Sequence, residues 1–273
     1  MASKPLPCEP LKETATFEVL QELSVGDGLC CGRGSQVITC IQQGSKEVLV
    51  AKVYDPLYYP FAGEDSPDIP NDVIARAEHD FALESMAYTL LDEKIGGSLI
   101  PKFQGSWLLD LPLKNRSRLV GFILLERLNG VPLNTLNPEN YTSQARLRVL
   151  RQCMEAEIQL HFAGVIHRDI AARNVICSSR NLLADDLRVK LIDFNRVTIL
   201  PSLGVEAPCN LEQLPESPID RFWNSRPIDM WEWLPDGWEK SEWNQWLKET
   251  WEGSTNFKSP QQHLLPPDLE PGV

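Results

Sequence analysis

Positive charge is scarce in this 273-residue sequence. Lys and Arg total 26 against 38 Asp and Glu, giving a net charge of −12 with His neutral. A binder of phosphate backbones needs a basic footprint, so nucleic acid is not an expected partner. A pocket for one small phosphorylated ligand is not excluded, because it needs only a few local cations. No apolar run approaches 18 residues, so neither a membrane-spanning helix nor a membrane partner is expected. Met1 to Pro10 lacks the apolar core of a signal peptide. The cysteines (Cys8, Cys30, Cys31, Cys40, Cys153, Cys177, Cys209) are odd in number and scattered, and none forms a C-x-x-C pair. Neither a zinc site nor a disulfide framework is indicated. These absences lead to the expectation of a reducing, intracellular, cytoplasmic location.

What is present is ordinary globular composition, 42% hydrophobic and 23% charged. Residues 1–15 read as a loose arm. From Phe17 the pattern becomes strand-like: Val37 to Ile41 and Val48 to Tyr54 are β-branched runs joined by a hairpin loop. Ahead of them, Gly26 to Val37 is glycine-rich. It reads either as a plain turn or as a hairpin whose backbone amides can approach phosphates. Lys52 lies between apolar residues and reads either as an outward-pointing edge lysine or as a buried ammonium that needs an anion. Asp55 to Asn71, rich in proline and acid, reads as a long loop. Helical spacing runs from about Asp72 to Leu91. Leu99 to Phe103 and Ser106 to Leu109 read as strands, Lys114 to Arg118 as a turn and Leu119 to Leu125 as a fully apolar strand. Tyr141 to Phe162 is the clearest helix, with Leu147, Leu150, Met154, Ile158 and Leu160 near one face.

The densest chemistry lies in His167-Arg168-Asp169-Ile170-Ala171-Ala172-Arg173-Asn174, followed by Asp193-Phe194-Asn195. Two acids and an amide beside short apolar strands suit phosphoryl transfer. One carboxylate can orient a hydroxyl, while the other, with the amide, can hold magnesium on a nucleotide. The wording H-R-D-x-x-x-x-N and then D-F-N resembles the protein kinase-like family, and the first motif is close to that of tyrosine kinases. Asn195 departs from the family's glycine. The resemblance implies ATP and Mg2+ as cofactors and a two-lobed α+β fold: an antiparallel β-sheet N-lobe and a mainly helical, truncated C-lobe. It implies Asp169 as the base or hydroxyl-orienting group and Asn174 and Asp193 as magnesium ligands. Arg173 either neutralises charge near the transferred phosphate or pairs with the fold. Lys52, in Val50-Ala51-Lys52, is similar to the family's phosphate-binding lysine. Its partner is expected to be Glu84, with Glu78 the alternative. Val37 precedes Lys52 by fifteen residues, the family's spacing for the glycine-rich loop. On that register Gly32 is the middle glycine, Cys30 and Ser35 replace the outer two, and Gly34 lies within the loop. Leu125, Glu126 and Leu128 would border the adenine. His161 and His167 read as structural.

After Asp193 the resemblance weakens. Leu214-Pro215-Glu216 stands where A-P-E is expected, and Asp229-Met230-Trp231 is similar to the D-x-W that opens a central helix. Pro235 and Gly237 argue against a long helix there. Seven of the eight tryptophans fall between Trp223 and Trp251, which reads as aromatic closure of a small lobe or as a ligand groove. The short C-terminal part and Tyr54-Asp55-Pro56 look similar to short fungal kinase-like proteins. The expected organisation is a flexible arm (1–15), an N-lobe (16–127), a reduced C-lobe (128–253) and a flexible tail (254–273). The function this implies is phosphotransfer from ATP to a hydroxyl of a small molecule or a restricted protein substrate. A pseudokinase serving as a nucleotide-binding or scaffolding module, and another ATP-using chemistry on the same fold, are the rival readings.

Overall fold

Alternation sets the first sheet. In Val48–Tyr54 successive side chains face opposite sides, so Leu49, Ala51 and Val53 share one face and Val50, Lys52 and Tyr54 the other. The computed structural model describes residues 16–24, 34–62, 70–113, 116–205, 213–225 and 228–261. These fall into two compact units, one within residues 1–85 and 103–127, the other within 86–102 and 128–273.

The first unit holds a five-stranded antiparallel sheet built from β1 (Phe17–Ser24), β2 (Gln36–Gln42), β3 (Val48–Tyr54), β4 (Phe103–Leu113) and β5 (Arg116–Glu126). The strand order is β1-β2-β3-β5-β4. One face buries Cys40, Leu49, Ala51, Val53, Val120, Phe122 and Leu124. Phe17 meets Phe122 and Trp107 edge-on across it, at 6.0 and 6.2 Å between ring centres. The other face of β3 and β5 receives the first half of helix α1 (Val73–Ile95). Phe81 of α1 lies over Gly121, where a Cβ would come within 2.5 Å of the ring, and 5.7 Å from the Tyr54 ring. Gly121 and Tyr54 are partners in the β3–β5 register, so the missing side chain at 121 is the seat for Phe81. α1 opens where the Asp72 carboxylate accepts from Ala75 N–H at 3.0 Å.

Leu99 to Phe103 is not a strand throughout. The amides of Ser98 and Leu99 both bond to the Ile95 carbonyl, closing a turn, and Pro101 has no N–H to give a ladder. Regular pairing begins only at Phe103. The apolar Leu99-Ile100 pair reflects the burial of Ile100, which makes an isolated bridge to Gly96 but belongs to no strand.

The second unit contains β6 (Val131–Pro132), α2 (Ser143–Phe162), β7 (Val165–His167), β8 (Val175–Cys177), β9 (Val189–Leu191), β10 (Val197–Ile199), α3 (Pro218–Phe222) and α4 (Lys240–Trp251). α2 begins two residues later than the periodicity suggests, because the Thr142 hydroxyl caps it by accepting from Ala145 N–H. β8 and β9 form an antiparallel hairpin with β6 on its edge, and β7 pairs with β10. Asp229-Met230-Trp231 sits in a kinked 3-10 stretch, Ile228–Trp233, and not in a long helix. The tryptophans pack against the fold and each other. Trp243 and Trp251 are buried, and Trp246 lies 5.2 and 5.3 Å from their rings. The Trp243 indole donates to the Phe222 carbonyl and that of Trp251 to Glu155, so two ring N–H groups tie α4 to α3 and α2. Residues 254–261 pack as well: Phe257 is buried and Lys258 N–H bonds to the Pro215 carbonyl. The tail expected from residue 254 is therefore not loose over these positions. Cys40, Cys153 and Cys177 are buried thiols whose pKa burial pushes up, to about 12 for Cys177, so they act as packing atoms. No helix of the described residues is long and apolar enough to cross a membrane.

Candidate active site

Lys52 is placed by β3, on the face that meets α1. Its Nζ donates to Glu84 Oε2 at 2.6 Å, and Glu84 is fully buried. A buried ammonium and carboxylate are sustained only by one another and by further polar partners. Tyr54, two residues along the same strand face, supplies one: its hydroxyl donates to the same Oε2 at 2.6 Å. Glu84, and not Glu78, is the residue set against Lys52. Val37 is the Cα partner of Lys52 in the β2–β3 ladder. Gly34 is buried against the ring of Tyr59, with no room for a Cβ, and Ser35 follows it half-buried. Gly32 and Cys30 lie outside the described residues. Leu125 is buried at the end of β5, paired with Val50, and Glu126 pairs with Leu49. Leu128 belongs to the second unit.

The catalytic-loop motif follows β7. Asp169 is gripped at both carboxylate oxygens: Arg173 donates to Oδ1, and the Asn174 amide nitrogen donates to Oδ2 at 3.0 Å. The same nitrogen also donates to the Asp169 backbone carbonyl at 2.8 Å. Arg173 thus forms its ion pair with Asp169 itself, one helical turn away in sequence. Asn174 is buried, and its N–H groups are committed to Asp169, so its amide oxygen is the end that can coordinate a cation.

Asp193 comes from the far strand of the hairpin. The register pairs Val175 with Leu191, and Ile192 N–H bonds to the Asn174 carbonyl at 2.9 Å. This ladder holds Asn174 and Asp193 at one end of β8–β9. Asp193 adopts left-handed backbone (φ 69°, ψ 73°), a conformation that costs energy for a non-glycine residue and often marks a functional position. Phe194 is buried between Tyr88 and His167, 5.0 and 4.8 Å away. His167 braces both loops. Its Nε2 bonds to the Ile192 carbonyl at 3.2 Å, and its Nδ1 accepts from Asp169 N–H at 3.2 Å. Arg168 Nε donates to the Thr198 hydroxyl, and its backbone N–H to the Arg196 carbonyl. Asn195 sits in the 3-10 turn Phe194–Arg196 with negative φ, so no glycine is needed there.

The donors are hard oxygens. Among the described residues no group of three or more His, Cys, Asp or Glu could hold a metal alone. An amide oxygen and one carboxylate fit magnesium, which takes one or two protein oxygens and completes its shell with phosphates and water.

Sequence reasoning missed Tyr54. The available signal was the i, i+2 spacing from Lys52 on a strand, which puts both side chains on one face.

Residues 115–227 match the model of the lipopolysaccharide kinase (Kdo/WaaP) family, a branch of the protein kinase-like superfamily. The match covers less than half of the chain. It takes in Asp169, Asn174 and Asp193 and leaves out Lys52 and Glu84. Over this stretch the chain is similar to kinase-like phosphotransferases, in keeping with a mixed fold built around an antiparallel sheet.

Proposed function

We propose that this protein is an ATP- and magnesium-dependent phosphotransferase acting on a hydroxyl of a sugar or another small molecule. The supporting observation is the linked unit of Asp169, Asn174 and Asp193, joined by the two Asn174 amide bonds and the Ile192–Asn174 backbone bond. Asp169, with both oxygens fixed, would accept a hydrogen bond from the acceptor hydroxyl and align it, taking its proton as the new P–O bond forms. Arg173 would keep Asp169 in that orientation. Asn174 and Asp193 would hold magnesium, which when bound neutralises phosphate charge. Lys52, oriented by Glu84, would contact the α- and β-phosphates. Gly34, Ser35 and Val37 would lie beside the phosphates, and Leu125, Glu126 and Leu128 beside the adenine. The family model's description points to a sugar-bearing acceptor, and the residues that choose the acceptor lie outside the linked unit.

The test is calorimetric titration of ATP with and without magnesium, on wild type and Asp193→Ala. A phosphate-transfer assay on a panel of sugars and polyols follows. Magnesium-dependent binding that is lost in Asp193→Ala, with transfer to a panel member, is the expected result. Absence of ATP binding to the wild type would overturn the proposal.

A further inference from the structure

Two acids one turn apart on α1, Asp80 and Glu84, each accept from a tyrosine hydroxyl. Tyr54 donates to Glu84 Oε2 at 2.6 Å and Tyr59 to Asp80 Oδ2 at 3.1 Å. The tyrosines reach the helix from different supports. Tyr54 stands on β3 beside Lys52. Tyr59 stands on the segment between β3 and α1, just after a 3-10 turn, Pro56–Tyr58, capped by the Asp55 carboxylate. Asp55 also binds Arg118 of β5 at 2.5 Å, and the Asn71 amide bonds the Pro60 and Ala62 carbonyls, closing the far side of the segment. The ring of Tyr59 is buried against Gly34 at the entry to β2. Burial and the neighbouring Asp80 carboxylate keep the Tyr59 hydroxyl protonated far above neutral pH, so it remains a donor.

We propose that Tyr54 and Tyr59 are positioning residues that fix the rotation of α1 about its axis, so that Glu84 meets Lys52. The proposal rests on the phosphotransferase reading for its functional consequence, but its geometry stands within the first unit. A helix held at one acid could roll about that contact. Held at two acids on consecutive turns, by donors from two different segments, it cannot. Phe81, seated on Gly121 between them, supplies the apolar part of the same grip. The hydroxyls are separable from the rings: Phe at either position keeps the packing and removes only the donor.

The experiment uses Tyr54→Phe, Tyr59→Phe and the double variant. It reads three quantities: melting temperature, the ATP KM against kcat with magnesium present, and amide hydrogen exchange across residues 80–88. The expected result is a melting temperature lowered by a few degrees in the double variant, because buried carboxylates lose their donors, together with an ATP KM raised about tenfold and faster exchange in residues 80–88. A KM and exchange that match wild type would overturn the proposal. So would a change in melting temperature alone, which is the mark of a purely structural role. If the wild type neither binds nor turns over ATP, the phosphotransferase reading fails separately. Exchange in residues 80–88 then decides the clamp by itself: faster exchange supports it and unchanged exchange overturns it.

Discussion

Asn195 shows how a single backbone angle can settle the meaning of a substitution. The resembled family carries glycine at this position, but here the positive φ belongs to Asp193, and Asn195 is an ordinary member of a 3-10 turn. Asn195→Gly should therefore relieve no strain and should lower stability by about 0.5–1 kcal/mol through backbone entropy, measured by urea unfolding. Asp169 makes the opposite case, where side-chain size is kept and chemistry removed. Asp169→Asn retains one acceptor oxygen, loses the basic carboxylate and turns an NH2 toward one of the two donors that grip Asp169. Turnover should fall by roughly 10²–10⁴-fold while ATP affinity by calorimetry stays near wild type. Full activity in this variant would rule out Asp169 as the orienting group. Glu84→Ala leaves Lys52 buried without its carboxylate and should cost about 3–5 kcal/mol in denaturant unfolding. ATP binding should weaken alongside.

At the level of elements, α2 and α3 meet through Arg221 and Glu157, whose charged groups are 3.2 Å apart. Burial raises the Glu157 pKa, and Arg221 only partly offsets this. A carboxyl whose folded pKa is raised contributes stability that is complete below its ordinary value near 4.5 and is lost as pH rises through the folded value. Glu157→Gln, which keeps an acceptor for Arg221, should match wild type at pH 4.5 and gain on it in melting temperature toward pH 8. A constant offset across that range would contradict this. His161, one turn along α2, acts in the other direction. Burial and Arg221 lower its pKa, so its contribution is present above about 6.5 and declines as pH falls. Elements were the most legible scale in the sequence where local pattern and final packing agree. The β-branched runs around Gln43 and Gly44 could form little but a hairpin, and Thr142 before an amphipathic run is a helix start in its own right. Leu99-Ile100-Pro101 misled because burial and strand pairing share an apolar signature. The catalytic-loop spacing was legible because Asp169, Arg173 and Asn174 interact within five residues. Tyr59–Asp80 and Phe81–Gly121 were not, since each depends on which strand or loop ends up beside α1, and no local pattern encodes that.

On the scale of the whole molecule, composition and packing diverge over where the folded body stops. The proline-rich composition after residue 253 suggests a tail, yet Phe257 is buried, Lys258 bonds to Pro215 and Gln261 N–H reaches the Asp220 carboxylate. Truncation after residue 253 should lower stability by about 3 kcal/mol or more, on the scale of deleting a buried phenylalanine, read as an earlier thermal transition. The net charge of −12 adds a second expectation: a column of immobilised heparin should not retain the protein at any salt concentration. The placement of the tryptophans has an optical consequence. Trp107 is the one indole in the first unit, and the other seven lie in the second, between Trp223 and Trp251. Intrinsic emission is therefore a natural reporter weighted toward the second unit. Substituting Trp107 by Phe would leave that signal nearly pure, and a dansyl or bimane label on β1 or β2 would then report the first unit in a separate colour during the same unfolding run.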